Sequence, residues 1–293
     1  MSTAQPRLVG IGDSVVDMFA ERSTAYPGGN ALNVAVYWHL FADSPSDFIG
    51  VLGDDVYGDH VMATLGELGV GTTRVRRARG QTGRTLVDVA PDGDRVFVAS
   101  NQGGIQADLS IRLAPADLEL IRGASMVHTS VYSGMDHRLD ALAQVAPVSY
   151  DFSDLPPIES VLPLMPHIQV AFLSAAQLSP EERRRYAQRC LQAGGTAVVM
   201  TAGAEGSVGF FDGKEHREGI THVDVVDALG AGDGFITGFL TAWVHSHDLT
   251  AAMQAGSRMG AMTCTLPGAF GHGVPASPAD MAALKRRSAV GAT

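Results

Sequence analysis

The stretch VVDALGAGDGF, residues 225–235, decides the fold and the chemistry that the rest of the sequence predicts. An apolar, alternating run leads into it and predicts a strand at residues 222–226. A turn of small residues, 230–232, follows. Apolar side chains then recur at the spacing of one helix face, namely Phe235, Ile236, Phe239, Leu240, Trp243 and Val244. Such a turn between a strand and a helix points backbone N–H groups outward, which predicts an anion site.

Asp233 stands at the start of that predicted helix. A carboxylate beside an anion site is poorly suited to bind the anion, but it can take a proton from a hydroxyl that attacks the anion. This layout is typical of a kinase that phosphorylates small alcohols. The alternative is that Asp233 only caps the helix, a role that Asp fills well.

Composition excludes several classes of protein. The chain has 293 residues, 45% of them hydrophobic, and a net charge of −10 without a basic surface pattern, so we expect no nucleic-acid partner. Cys190 and Cys264 are the only cysteines, which favours a reducing compartment, and we expect a cytoplasmic location. No signal peptide or run of about 18 apolar residues is found, so we expect no membrane association.

Strands and helices alternate along most of the chain, which predicts an α/β fold with a doubly wound, mostly parallel sheet flanked by helices. The predicted strands are 7–12, 48–52, 126–129, 148–151, 170–174, 197–201, 208–211 and 222–226. The predicted helices are 31–40, 57–68, 136–145, 180–193, 250–264 and 277–287. Residues 84–89 and 95–99 flank a Pro-Asp-Gly-Asp turn and predict a β-hairpin. We expect this hairpin to stand off the main sheet as a small lid.

Polar and small residues follow the predicted strands, at Asp13, Asp17, Asp151, Ser174, 201–203 and Gly230. Ligands of doubly wound sheets bind outside the carboxyl ends of the strands, so these residues are expected to converge. Other motifs are absent. The sequence has no P-loop, no complete dinucleotide fingerprint, no metal-ligand spacing of His and Cys, and no G-x-S-x-G.

Two longer motifs now identify a resemblance. GGNALNVA at 28–35 resembles the N-terminal G-G-N-x-x-N-x-A signature of the ribokinase-like, or PfkB, family of carbohydrate kinases, and DALGAGD at 227–233 resembles its C-terminal D-T-x-G-A-G-D. The likeness covers about residues 7–285. It implies a ribokinase-like fold, one kinase domain over residues 1–293, and lid elements at about 14–27 and 84–103.

The resemblance also implies roles for single residues. Asp233 would be the general base, and Gly230, Ala231 and Gly232 would form the anion hole for the transferring phosphoryl group. The sugar would be bound by the set Asp13, Asp17, Gly28, Gly29, Asn30, Asn33 and Asn101. His128 is either a substrate contact or a satisfied core residue.

The same resemblance implies ATP as its magnesium complex. Thr201, Gly203 and Gly206 would line the nucleotide, and Gly256 would border the adenine. Asp227, the Leu229 carbonyl and Gly268 are candidates for a K⁺ site. The family usually carries N-x-x-E near the magnesium, whereas this chain has Ser174 and Gln177 at that place.

The function implied is ATP-dependent phosphorylation of the primary hydroxyl of a sugar or a sugar–amine conjugate. Fructoselysine-like compounds are favoured by GDSVVD at 12–17, GGNALNVAVY at 28–37 and DFSD at 151–154. The alternatives are a ribose, fructose or nucleoside kinase, or a sugar-binding pseudo-kinase. The lid hairpin has exposed edges that two subunits could pair, so the sequence is also compatible with a homodimer through the lid.

Overall fold

The structure, a computed structural model, describes residues 5–89 and 95–291 of the chain. In chain order its strands are β1 (Leu8–Ile11), β2 (Val15–Phe19), β3 (Thr24–Gly28), β4 (Ser46–Ile49), β5 (Val51–Gly53), β6 (Arg76–Ala78), β7 (Gly83–Val89), β8 (Arg95–Ser100), β9 (Met126–Ser130), β10 (Val148–Asp154), β11 (Val170–Ser174), β12 (Ala197–Thr201), β13 (Ser207–Phe211), β14 (Lys214–Glu218) and β15 (Val274–Pro275). Its α-helices are α1 (Asn30–Ala42), α2 (Val56–Leu68), α3 (Ile105–Leu109), α4 (Pro115–Ile121), α5 (Leu139–Ala143), α6 (Ile158–Val161), α7 (Pro180–Gln192), α8 (Ala231–Ser246), α9 (Leu249–Thr263) and α10 (Pro278–Gly291).

The main sheet has eight strands in the order β14-β13-β12-β11-β10-β9-β1-β4. All neighbours from β12 to β4 pair in parallel, and only β13 and β14 are antiparallel. The α/β fold with a mostly parallel sheet is therefore confirmed. The carboxyl ends of β1, β9, β10, β11 and β12 lie along one edge, because parallel neighbours end on the same side.

Side chains of the central strands alternate between two hydrophobic cores, as the pleat requires. Leu8 and Val199 face a core that includes residues of α1, α8 and α9, whereas Val9 and Val198 face a core that includes residues of α5 and α7. Both faces of the sheet are therefore covered by helices. This two-sided burial explains why the strands read as nearly continuous apolar runs in the sequence.

A second sheet has the order β15-β3-β2-β7-β8. Its strands come from both segments that were predicted as lid elements and from β15, which no sequence pattern indicated. The hairpin of β7 and β8 is present and stands outside the main sheet, as predicted. Its predicted turn at 91–94 lies outside the described residues. The role of this sheet as a lid, and the single kinase domain, stay predictions.

Two predicted strands are wrong in detail. Residues 222–226 form an irregular segment and not a strand. Val225 and Val226 are 64% and 52% exposed, so their alternation does not reflect a buried sheet face. Residues 48–52 are divided at Gly50, because β4 pairs with β1 in the main sheet whereas β5 pairs with β6 in a separate ladder. Among the described residues, no helix has the length and apolar character needed to cross a membrane.

Candidate active site

The turn before α8 has the geometry that an anion site needs. Gly230 is the N-cap residue and adopts φ of 80°, which glycine tolerates without strain. The N–H of Ala231 donates to the carbonyl of Ala228 at 3.2 Å. Within the described part of the chain, no hydrogen bond uses the N–H of Gly232 or of Asp233. A Cβ at position 232 would meet nothing within 4 Å, so the space beside the Gly232 side of the turn is open.

The carboxylate of Asp233 lies in the first turn of α8 and is held by two amides of α1. Asn30 Nδ2 donates to Asp233 Oδ1 at 2.7 Å, and Asn33 Nδ2 donates to Asp233 Oδ2 at 2.6 Å. Asn30 and Asn33 face the same side of α1 because they are three residues apart. Asp233 stays partly exposed despite these contacts. It is therefore oriented by its neighbours and still open to a ligand.

Asn30 links Asp233 to the main sheet. Its Nδ2 also donates to Asp151 Oδ2 at 2.8 Å, in the middle of β10, and its Oδ1 lies 2.9 Å from His128 Nε2 on β9. His128 Nδ1 in turn lies 2.9 Å from Ser149 Oγ. All polar atoms of the Asn30 side chain are thus engaged by the protein. The contacts favour a supporting role for Asn30 over the direct sugar contact that the sequence predicts.

Asp13 anchors the start of α1. Its Oδ2 accepts the N–H of Asn30 at 2.6 Å, and its Oδ1 accepts hydroxyls of Ser130 at 2.9 Å and Ser133 at 3.0 Å. The N-cap of α1 is Gly29, which has no side chain to cap the helix, and its φ is 111°. Asp13 satisfies the helix N-terminus in its place.

Asp17 and Asn33 are the remaining polar side chains that the sequence predicts to bind the sugar. A Cβ at Gly28 would lie 2.5 Å from Asp17 Oδ2, so only glycine leaves room for this carboxylate. Asn33 is 4% exposed, and its Oδ1 has no hydrogen-bond partner in the described part of the chain. A buried acceptor without a partner costs about 1–3 kcal/mol. A sugar hydroxyl that donates to Asn33 Oδ1 would remove this cost.

Burial, with a smaller contribution from neighbouring acids, raises the pKa of Asp233 and of Asp151. Burial raises the pKa of Asp233 to about 8, the charges of Asp151 and Asp13 add to the rise, and the amides of Asn33 and Asn30 oppose it. Burial also raises the pKa of Asp151 to about 7, with a further contribution from Asp13. A base with a pKa near the working pH is suited to proton transfer.

Asp17 shows the same effect. Burial raises its pKa to about 7, and the charges of Asp13 and Asp227 add to the rise. Among the ion pairs of the described residues, none involves Asp13, Asp17, Asp151 or Asp233. The site is thus rich in acidic side chains that form no ion pair with a described basic side chain, and the raised pKa values of Asp17, Asp151 and Asp233 reflect this.

Asp227, Leu229 and Gly268 lie together, as the sequence predicts, but the contacts do not resemble a cation site. Asp227 Oδ1 accepts the N–H of Leu229 at 3.0 Å, and Oδ2 accepts the N–H of Gly268 at 3.2 Å. The guanidinium of Arg22, from the connection between β2 and β3, lies 3.3 Å from Asp227 Oδ2. N–H donors and a guanidinium do not fit a K⁺ ion, which needs oxygen ligands, and we assign no step to one.

The predicted nucleotide residues divide into two groups. Thr201 ends β12, and Gly203 and Gly206 lie in the turn that follows; a Cβ at Gly203 would meet nothing within 4 Å. Gly256 is different, because a Cβ there would lie 3.0 Å from the ring of Phe235. This contact shows that Gly256 packs α9 against α8, and its place beside the adenine stays a prediction.

Comparison with known proteins decides the family. A family model described as the pfkB family carbohydrate kinase matches residues 13–275. The chain belongs to the pfkB family of carbohydrate kinases. The resemblance seen in the two sequence motifs is therefore confirmed, and the protein is an ATP-dependent carbohydrate kinase.

Relatives of this pfkB kinase include a fructosamine kinase, FrlD, of Bacillus subtilis (strain 168), which is 38% identical over 92% of this chain and 94% of its own. Fructoselysine 6-kinase of Shigella flexneri is 34% identical over 90% of this chain and 99% of its own. The ribokinase of Arabidopsis thaliana, solved with ribose and ATP, has a TM-score of 0.75 at 22% identity and covers 91% of this chain and 95% of its own. That last likeness shows the ribokinase-like fold.

Other expectations about the pfkB kinase are corrected or extended by the contacts. Asn101 was expected to bind sugar, but its Oδ1 accepts the N–H of Arg84 at 2.7 Å and its Nδ2 donates to the Thr82 carbonyl at 2.9 Å, so it braces the second sheet. The sequence analysis included Asp151 among the residues expected to converge at the strand ends, but it did not predict the contacts of Asp151 and His128 with Asn30.

Two polar residues, Ser174 and Gln177, stand at the place where the family usually carries N-x-x-E near the magnesium. Ser174 and Gln177 are exposed and bring no carboxylate to the end of β11. Within residues 5–89 and 95–291, no group of three or more His, Cys, Asp or Glu side chains could hold a metal ion.

Proposed function

We propose that this pfkB kinase phosphorylates the primary hydroxyl of a sugar–amine conjugate of the fructosamine type, with Asp233 as general base. The observation that carries the proposal is the position of Asp233. Its carboxylate is fixed by Asn30 and Asn33, in the same helical turn as the N–H groups of Gly232 and Asp233, which donate no hydrogen bond within the described part of the chain.

The reaction is a direct transfer. The sugar oxygen attacks the γ-phosphorus of ATP, the new O–P bond forms, and the bond from the γ-phosphorus to the bridging oxygen breaks, which releases ADP. The hydroxyl proton passes to the Asp233 carboxylate. The two N–H groups would stabilise the charge on the transferring phosphoryl group. Magnesium, bound to ATP, would neutralise phosphate charge.

The charge of the site favours an amine-bearing substrate. Burial raises the pKa of Asp17, Asp151 and Asp233, the charge of Asp13 adds to each rise, and none of these four acids forms an ion pair with a described basic residue. A substrate ammonium would relieve their repulsion, whereas a neutral sugar would leave it in place. The names of the relatives from Bacillus subtilis and Shigella flexneri support the same substrate class.

The test is ADP release with a matched panel: fructoselysine, a second fructosamine, fructose, ribose and a nucleoside, each with magnesium and ATP. We expect the highest kcat/KM with a fructosamine. A higher value with a neutral sugar or a nucleoside would overturn the substrate class. Sugar binding by calorimetry without ADP formation at high ATP and magnesium would instead favour a pseudo-kinase, for which the exposed Ser174 and Gln177 at the usual carboxylate place are the motivating observation.

A further inference from the structure

His128 is a fully buried histidine that the proposed reaction does not use directly. It lies on β9 with an exposed fraction of 0%. Its ring contacts Ser149 Oγ on one side and Asn30 Oδ1 on the other, both at 2.9 Å. Through Asn30 it is one side chain away from the carboxylates of Asp233 and Asp151.

These contacts determine which ring nitrogen of His128 carries the proton. The Asn30 Nδ2 group faces Asp233 and Asp151 and donates to both, and this orientation is the favourable one when the two carboxylates are ionised, because they then only accept hydrogen bonds. Asn30 Oδ1 then faces His128 and can only accept, so Nε2 of His128 carries the hydrogen. Nδ1 then has no hydrogen and accepts from the hydroxyl of Ser149, which lies 2.9 Å from it and 3.3 Å from its other acceptor, the carbonyl of Val127. Burial lowers the pKa of His128 to about 3, so the ring stays neutral at physiological pH.

We propose that His128 is a positioning residue that fixes the amide of Asn30, so that both N–H groups of this amide point at Asp233 and Asp151. Without a donor at position 128, the amide can rotate by half a turn and place its oxygen against the carboxylates. That orientation is repulsive and removes the hydrogen bond on Asp233 Oδ1. The inference rests on the proposed role of Asp233 as base.

The consequence is a change in the titration of Asp233. The groups that face its carboxylate are the amide of Asn30, the amide of Asn33 and the charges of Asp13 and Asp151, and Tyr37 lies close enough to sense its charge. Hydrogen bonds from Asn30 and Asn33 favour the ionised form. When the Asn30 bond is lost, the pKa of Asp233 rises further, and the alkaline rise of kcat/KM moves to higher pH by about one unit.

The test compares three variants by their pH profiles of kcat/KM. His128→Phe keeps an aromatic ring and removes the donor. We therefore expect kcat/KM at pH 7 to fall about tenfold and to recover at pH values above the raised pKa of Asp233. His128→Gln keeps a donor toward Asn30 and should restore most of the wild-type profile. Thr129→Val is the matched control, because Thr129 is also fully buried on β9 and its Oγ1 has no partner in the described part of the chain.

Two spectroscopic measurements separate this inference from the proposed function. Nitrogen-15 shifts of the His128 ring should report hydrogen on Nε2 only, without titration between pH 5 and 9. Carbon-13 carboxyl shifts should show a higher pKa of Asp233 in His128→Phe than in wild type, even when no substrate is turned over. Three results would overturn the inference. They are a His128 ring that carries its hydrogen on Nδ1, a pH profile of kcat/KM in His128→Phe that is the same as in wild type, and a pH profile in Thr129→Val that moves as far as that of His128→Phe.

Discussion

The candidate active site and the contact of the second sheet with α2 and α10 hold acidic side chains in different ways. Around Asp233 the partners are neutral, such as the amides of Asn30 and Asn33. Where the second sheet meets α2 and α10, the partner is an arginine of β7, because Arg84 lies 2.6 Å from Asp55 and 2.8 Å from Asp280.

The two environments have opposite effects on the acids. Burial opposes ionisation of Asp55, yet hydrogen bonds from Thr82, Gly58 and Arg84 lower its pKa. Burial raises the pKa of Asp233, and its neutral partners do not reverse this effect. An acid that is meant to exchange a proton is oriented without being neutralised, whereas an acid that ties two elements together is paired with a fixed positive charge. Variants that remove one acid or one arginine test this difference.

The largest effect is expected from Asp233→Asn. The amide keeps the shape of the side chain but cannot take the hydroxyl proton, so kcat should fall by roughly 10²–10⁴-fold. Calorimetry should still detect sugar binding. Asp248→Asn is the control, since Asp248 also stands at a helix start and its carboxylate only accepts the N–H of Ala251. Retained turnover in Asp233→Asn would remove Asp233 from its proposed role.

Among the arginine variants, removal of the Arg84 side chain should reduce the stability of the fold most. Its side chain is 6% exposed, it bridges the second sheet to α2 and α10, and its guanidinium lies 4.7 Å from the centre of the Tyr57 ring. Arg84→Ala leaves Asp55 and Asp280 without this partner, and we expect a loss of about 3 kcal/mol in the free energy of unfolding by urea. Arg185→Ala, an exposed arginine of α7, should cost almost nothing. Equal losses in the two variants would contradict the importance of the bridge.

Asp151→Asn tests the negative charge of the site. The variant keeps an acceptor for Asn30 and removes one charge that a substrate ammonium would face. We expect kcat/KM for a fructosamine to fall about tenfold, equivalent to about 1.4 kcal/mol, with a smaller change for fructose. The neutral sugar is the internal control. A parallel loss with both substrates would show that Asp151 does not distinguish the amine.

Arg22→Ala should have the smallest effect. The pair of Arg22 with Asp227 joins the second sheet to the segment before α8, but the Arg22 side chain is 39% exposed. Solvent screens such a pair, so we expect a loss below about 1 kcal/mol in unfolding free energy, and a smaller one at high salt. A loss as large as that of Arg84→Ala would mean that exposure does not separate the two arginines.

Patterns among residues that are neighbours in the chain gave the most reliable predictions of secondary structure. The periodic apolar residues of α1, α2, α7, α8 and α9 predicted these helices closely, because one buried face recurs at the helical period. The prediction of a strand at 222–226 was wrong because it also relied on a local pattern. The valines of this segment alternate as in a strand, but the N–H groups of Val226 and Asp227 bond to the carbonyl of Cys264, which no local pattern can indicate.

The sequence by itself determined the α/β class, the anion turn before α8 and the acid at its start, since each depends on residues that are neighbours in the chain. Only the tertiary structure decided which partners hold that acid. Asn33 and Asp233 are 200 positions apart, and His128 and Asn30 are 98 positions apart. Hydrogen bonds of this kind depend on packing between distant elements, and the protonation behaviour of the site follows from that packing.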